Sequence, residues 1–264
     1  MTDELKYILL GLVQGIAEFF PISSSGHTSL LSIIFKIAEK QPLLFMITVH
    51  FATTLSTIAV YRHKIMNIIT ETLIKKNPSQ ISFAIKLIIS AVPVVIMGLL
   101  FKTHVNNLFT NSNHIVSYML ILTSLILLIS KYAQKRDGQI TYKAAILMGV
   151  AQSIAIVPGI SRSGATITTA LFCGVDRKKA AEFSFLMVLL PIFGMTFIEI
   201  IELSKINNLN LLPDELKGLL LAFISALLSG WIACKYMIII VQKNHLNYFG
   251  YYCLTIGLVS LFFI

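Results

Sequence analysis

Two stretches of the 264-residue chain, GLVQGIAEFFPISSSGHT from Gly11 to Thr28 and GVAQSIAIVPGISRSGAT from Gly149 to Thr166, align without a gap at an offset of 138 residues. Nine of the eighteen positions are identical, where unrelated segments of this composition share about one or two. The chain is therefore a duplication. The differences are as informative as the identities, because they put Glu18 and His27 in one copy and Arg162 in the other.

Each copy breaks an apolar helix at the same place. Tyr7 to Phe20 and Ser29 to Ile37 are separated by Pro21, three serines and Gly26; Lys143 to Val157 and Gly164 to Phe172 are separated around Pro158 and Gly159. All four pieces are too short to cross a bilayer of about 30 Å at ~1.5 Å per residue. The pattern predicts two re-entrant elements, each a half-helix in, a non-helical turn at depth and a half-helix back out. Backbone freed from helical bonds survives in a membrane only where protein or a polar cavity satisfies it, so each turn is expected to line a cavity.

Working outward, apolar segments run from Pro42 to Tyr61, Ile81 to Phe101, Ile115 to Ser130, Glu182 to Ile201, Gly218 to Cys234 and Tyr248 to Ile264. They are six expected spans, the third and sixth short. The offset of 138 maps the first three onto the last three, which predicts one membrane domain over residues 1–264, with repeat 1 about 1–135 and repeat 2 about 139–264. Three crossings separate the two broken elements, so the second enters from the opposite face. The fold class expected is an all-α integral membrane protein with an inverted-topology repeat, two re-entrant broken helices and six transmembrane helices.

Composition agrees. The chain is 56% hydrophobic and only 12% charged, with a mean hydropathy of +0.82, more apolar surface than a soluble core of this size hides. The formal charge of +9 is scattered through short connections and forms no basic patch interleaved with aromatics, which speaks against a nucleic-acid partner. Arg62, Lys64, Lys75, Lys76, Lys131, Lys135, Arg136, Lys143, Arg177, Lys178, Lys179, Lys235 and Lys243 fall on one side of the expected topology. Lys6, Lys36, Lys40, Lys102, Lys205 and Lys217 fall on the other, so both termini are expected to face outward. Cys173, Cys234 and Cys253 lack metal-ligand spacing and read as packing residues. Asp3 and Glu4 spoil the positive start that a cleavable signal needs.

The chemistry-bearing residues cluster at the breaks. Gln14 and Glu18, four apart, share a helix face. A carboxylate at the bilayer centre costs about 2.5–3.5 kcal/mol on insertion scales, which marks Glu18 as a metal ligand or general base rather than an idle charge. Ser23, Ser24 and Ser25 beside Gly26 supply hydroxyls and approachable N–H groups suited to an anion at the start of the returning half-helix, with helix capping as the competing role. His27, nine residues from Glu18 across the break, points to acid–base or nucleophilic work. In the second copy Arg162 offers a planar donor fork matched to phosphate, with Ser161, Ser163 and Thr166 adding hydroxyls. A structural ion pair between Arg162 and Glu18 is the plainer alternative. His50, Thr53 and Thr54 inside the first span, and Glu182 and Ser184 in the equivalent span, read at least as well as packing residues with local hydroxyl-to-backbone bonds. His63, His104, His114 and His245 lie in or near loops and carry no assigned role.

Taken together, these motifs resemble the two signatures of the undecaprenyl-diphosphatase family, also called bacitracin resistance proteins. A first motif of Glu or Gln, three residues, then Glu matches Gln14 and Glu18, followed here by PISSSGH. The second, PGxSRSxxT, matches Pro158 to Thr166 throughout. The resemblance implies hydrolysis of undecaprenyl diphosphate to undecaprenyl phosphate and phosphate, recycling the lipid carrier of bacterial cell-wall synthesis, and a site in the bacterial cytoplasmic membrane opening outward. The expected partners are then a polyprenyl diphosphate and the bilayer, with a homodimer left open. Glu18 is expected to hold a divalent cation, Mg²⁺ or Ca²⁺, with the neutral amide of Gln14 the weaker ligand. His27, Ser24 or water remain open as nucleophile. A secondary transporter or lipid flippase is the rival reading, since inverted repeats with broken helices are also built for transport; a non-catalytic scaffold gives no reason for polar residues at depth.

Overall fold

The structure is a computed structural model that describes residues 2–35, 42–100, 113–134, 136–204 and 213–263. Lys36, Ile37, Lys40, Phe101, Lys102, His104, Lys135, Lys205 and Ile264 lie outside the described residues. Eleven α-helices are described: α1 Asp3–Phe19, α2 Ser24–Ile34, α3 Pro42–Ile69, α4 Pro78–Leu100, α5 Asn113–Ile129, α6 Tyr142–Ile154, α7 Arg162–Phe172, α8 Arg177–Met187, α9 Leu189–Ser204, α10 Pro213–Gln242 and α11 Leu246–Phe263. The protein is an all-α integral membrane protein.

Five apolar segments are long enough to cross: Leu44–Ile74, Pro78–Leu100, His114–Tyr132, Arg177–Ile198 and Pro213–Gln242. The sixth expected span, α11, is apolar but has 18 residues, about 27 Å at ~1.5 Å per residue, slightly less than the hydrocarbon thickness. Helix ends run well past the apolar segments read from sequence. α3 continues to Ile69 and then through a π-helical turn, Thr70–Ile74, so Arg62 and Lys64 sit on a helix and not in a loop. Lys143, Lys178, Lys179 and Lys235 are likewise helical. The fourth span begins at Arg177 and is interrupted at Val188, three residues before Pro191; proline cannot donate to the carbonyl four residues back and its ring crowds that turn.

Apolar and polar residues are arranged inside out. Phe262, Leu100, Ile74 and Phe197 are exposed, whereas Gln14, Ser56, Ser90, Ser117, Ser161, Thr166 and Ser184 are buried. Lipid is as apolar as leucine, so helix association rests on close packing and interhelical hydrogen bonds. Ser56 Oγ donates to the Leu227 carbonyl at 2.7 Å, and Ser260 Oγ donates to Ser117 Oγ at 2.7 Å.

The two broken elements are held by reciprocal packing. α1 and α2 fold against each other, as do α6 and α7; α1 then lies along α10 of the second half, and α6 along α4 of the first. Small residues make both contacts possible. A Cβ at Gly11 would sit 2.3 Å from the Ala222 carbonyl oxygen, and one at its repeat partner Gly149 would sit 2.5 Å from the Ser90 carbonyl oxygen. Gly15 is as tight, 2.5 Å from the Ala226 carbonyl oxygen and 2.8 Å from the Gly230 nitrogen. Because backbone cannot step aside, Gly15→Val is expected to destabilise the protein by about 1–3 kcal/mol, seen as a lower melting temperature in detergent. Gly98→Val, with nothing within 4 Å of its Cβ position, is the control expected to leave it unchanged.

Candidate active site

Both breaks are capped by serine, in different backbone conformations. Ser23 caps α2 at φ 69°, ψ 97°, in the left-handed region, and its Oγ accepts from the Gly26 N–H at 3.2 Å. Ser161 caps α7 at φ −76°, ψ 115°, with Oγ accepting from the Gly164 N–H at 3.1 Å. The returning helix of the first copy therefore starts at Ser24, five residues before the sequence-based estimate, so Ser24, Ser25 and His27 are helical and not in a turn. Each cap serves the third N–H of its helix, which leaves the N–H groups of Ser24 and Ser25, and of Arg162 and Ser163, as donors at two helix N-termini.

These two helix starts meet. A Cβ on Gly26 would lie 3.2 Å from Gly159 Cα, and one on Gly164 would lie 3.2 Å from Pro21 Cβ, so each turn's glycine receives the other turn. Thr123 on α5 pins the second turn by accepting from the Ser161 N–H at 2.9 Å and donating to the Gly159 carbonyl at 2.9 Å.

Glu18 lies at the junction. Its Oε1 accepts from Arg162 Nη2 at 2.6 Å, and its Oε2 accepts from Ser24 Oγ at 2.8 Å and Gln14 Nε2 at 3.1 Å. The Glu18 side chain is 9% exposed and that of Arg162 14%, so the pair is largely desolvated but reachable. Arg162 is held from behind: Nη1 donates to the Ser184 carbonyl at 3.3 Å, and Thr166 Oγ1 bonds the Arg162 carbonyl at 2.8 Å and Ser184 Oγ at 2.6 Å. Ser161 and Ser163 hydroxyls are 3.3 Å apart beside it, and Ser23 and Ser25 hydroxyls 3.4 Å apart across the junction.

The structure thus gathers Gln14, Glu18, Ser24 and Arg162 into one network, with Ser23, Ser25, Ser161 and Ser163 around it. His27 bonds elsewhere. Its Nδ1 is 2.9 Å from the Ser23 carbonyl, which can only accept, so Nδ1 carries the proton and Nε2 accepts from Tyr252 Oη at 2.9 Å. The two rings stack at 5.5 Å and 10°. Thr53 and Thr54 donate to the His50 carbonyl at 2.9 and 2.8 Å, the local bonding expected of them. Glu182 pairs with Lys64 of α3. Sequence reasoning missed Thr123 and Tyr252 and gave Ser184 too little weight. A threonine inside an apolar span was a signal for the first, but nothing local marks Tyr252, which is 225 residues from its partner.

Among the described residues no group of three or more His, Cys, Asp or Glu is placed to hold a metal. Gln14 presents its amide nitrogen to Glu18, so Glu18 is the anionic oxygen donor at this point. One carboxylate is a donor set of the kind Mg²⁺ commonly takes, its shell completed by phosphate oxygens and water.

Fold and site together define a multi-pass membrane protein whose buried Arg–Glu centre forms where two broken helices from duplicated halves touch. The chain belongs to the bacitracin resistance protein BacA family, whose model matches residues 7–259. The undecaprenyl-diphosphatase of Christiangramia forsetii is 40% identical over 263 residues, covering 99% of this chain and 98% of that protein. Those of Parabacteroides distasonis and Carboxydothermus hydrogenoformans are 39% and 38% identical over 257 and 262 residues, covering 96% and 98% of this chain.

Proposed function

We propose that the protein is a membrane phosphatase that hydrolyses undecaprenyl diphosphate to undecaprenyl phosphate and phosphate. It would thereby recycle the lipid carrier for bacterial cell-wall synthesis and give resistance to bacitracin. The observation that carries the reading is the Glu18–Arg162 pair where α1 ends and α2 and α7 begin, with helix-start N–H donors beside a hydroxyl held on a carboxylate. The near full-length similarity to proteins named undecaprenyl-diphosphatase supports it independently.

The diphosphate head group enters between the two turns, and the polyprenyl tail stays among the apolar helices. Arg162 and the helix N-termini of α2 and α7 bind phosphate oxygens, with Ser23, Ser25, Ser161 and Ser163 as further donors. Arg162 neutralises the charge that grows on the transferred phosphoryl group. Thr166 braces Arg162 through its carbonyl and through Ser184. Glu18 accepts the Ser24 hydroxyl proton along a 2.8 Å bond, the geometry of a base beside a nucleophile or of a base that relays a proton from water. His27 reaches the reaction only if its bond to Tyr252 opens. A divalent cation, best Mg²⁺, held by Glu18 would neutralise diphosphate oxygens and polarise the scissile bond.

The same reading includes the inverted relation of repeats 1–135 and 139–264, supported by the reciprocal packing of α1 on α10 and α6 on α4. It also includes insertion in the cytoplasmic membrane with the cavity opening outward, as the family resemblance implies, and the basic-residue bias is compatible with that orientation. Detergent-purified protein with Mg²⁺ and a polyprenyl diphosphate is expected to release inorganic phosphate. No release, with movement of the lipid across proteoliposomes instead, would favour a transporter or flippase.

A further inference from the structure

One imidazole in the site has a ring nitrogen that faces Glu18 without a hydrogen bond. His50 on α3 has its Nδ1 2.9 Å from the Met46 carbonyl, and its Nε2 faces Glu18 Oε2 at 3.8 Å. A carbonyl only accepts, so Nδ1 carries a proton, and Nε2 is the nitrogen turned toward the carboxylate. At 3.8 Å the two atoms are too far apart for a direct hydrogen bond. A cation bonded at ~2.0–2.2 Å to one nitrogen and one oxygen holds them about 2.8–4.4 Å apart, according to the angle at the ion, and 3.8 Å falls inside that range. A histidine whose other nitrogen donates to a backbone carbonyl is also the usual arrangement of a metal-ligating imidazole, because that bond fixes the tautomer and the ring. His27 does not meet this description, since both its nitrogens already have partners. The His50 side chain is 29% exposed.

We propose that His50 Nε2 and Glu18 Oε2 form a two-donor nitrogen–oxygen site for a divalent cation, which takes the place of the Gln14 amide on Oε2 and completes its shell with water and diphosphate oxygens. The inference rests on the reading of Glu18 as a cation ligand and gives it a second protein partner drawn from a different helix. It has a consequence that Gln14 and Glu18 alone would not produce. An imidazole donor tilts preference away from the hard oxygen-seeking cations and toward Mn²⁺ and later first-row ions. The protein is therefore expected to bind Mn²⁺ more tightly than Mg²⁺, and His50→Gln to narrow that gap.

The test is spectroscopic and needs no turnover. Mn²⁺ is added to the full-length protein in detergent, with a farnesyl methylenediphosphonate as non-hydrolysable head group, and the spin-echo modulation from directly bonded ¹⁴N is recorded. The wild type is expected to show it. His50→Gln is expected to lose it while still holding Mn²⁺, with the Mn²⁺ concentration for half occupancy raised at least about tenfold, since even the outer partners of a ligand are worth ~10–100-fold. His27→Gln is expected to keep it. Bound Mn²⁺ without ¹⁴N modulation in the wild type, or modulation that survives in His50→Gln, overturns the His50 assignment and leaves the cation at Glu18 standing. Failure of any Mn²⁺ to bind overturns both.

Discussion

Arg162→Ala is expected to collapse turnover by about 10³–10⁵-fold, the range found when an arginine that stabilises a phosphoryl-transfer transition state is removed, and to raise the substrate concentration needed for half-maximal rate. Both changes follow from the position of the guanidinium, which begins α7, touches Glu18 Oε1 at 2.6 Å and is braced by the Ser184 carbonyl. Arg162→Lys is not expected to restore the rate, because one ammonium cannot hold Glu18, Ser184 and a phosphate oxygen in a planar fork. Steady-state phosphate release over a range of lipid concentrations separates the two effects. Near-normal values for both constants would remove Arg162 from the proposal.

Glu18→Gln is expected to cut turnover about 10³-fold or more and make the residual rate insensitive to added Mg²⁺. The amide keeps the shape but loses the charge that answers Arg162, accepts from Ser24 and attracts a cation. A loss of about 10³-fold is the scale for removing one preorganised electrostatic group. The variant also strands Arg162, and breaking a largely buried pair costs about 3–5 kcal/mol of stability. Stability and catalysis are separated by the double variant Glu18→Gln/Arg162→Ala, which removes the stranded charge. Its melting temperature is expected to recover above that of Glu18→Gln, with activity still lost to at least the same degree. Activity that returned along with stability would reduce Glu18 and Arg162 to a structural pair.

The duplicated stretch made the plan of the site legible before any coordinates. Two aligned breaks, one acidic and one basic, predicted a shared centre, and the structure brings Glu18 and Arg162 to 2.6 Å. Gln14 and Glu18 were readable because four residues is a helical repeat, and they do bond at 3.1 Å. Helix ends were less legible. Hydropathy registers where lipid-facing side chains stop, whereas α3 continues for another eight residues past Tyr61 with Arg62 and Lys64 on its surface. The serine run read as a turn because serines compete with helical bonding, yet a single cap at Ser23 frees the next two to begin α2. His50, Thr123 and Tyr252 join the site or its supports from helices distant in sequence. No local pattern encodes such contacts, and they follow only once α3, α5 and α11 are packed.

The account stands on the meeting of the two turns, and a cross-link across them tests it most directly. Pro21→Cys and Gly164→Cys are introduced into a chain whose Cys173, Cys234 and Cys253 are replaced by alanine, with a protease site engineered in the connection between the two halves. The Cβ positions lie 3.2 Å apart, near the Cβ separation of about 3.5–4.5 Å in a disulfide, so mild oxidation is predicted to join the halves, which then migrate together after proteolysis until reduced. Halves that separate without reductant, under oxidation that links a control pair within α1 and α10, would place the acidic and basic turns apart and contradict a single head-group site.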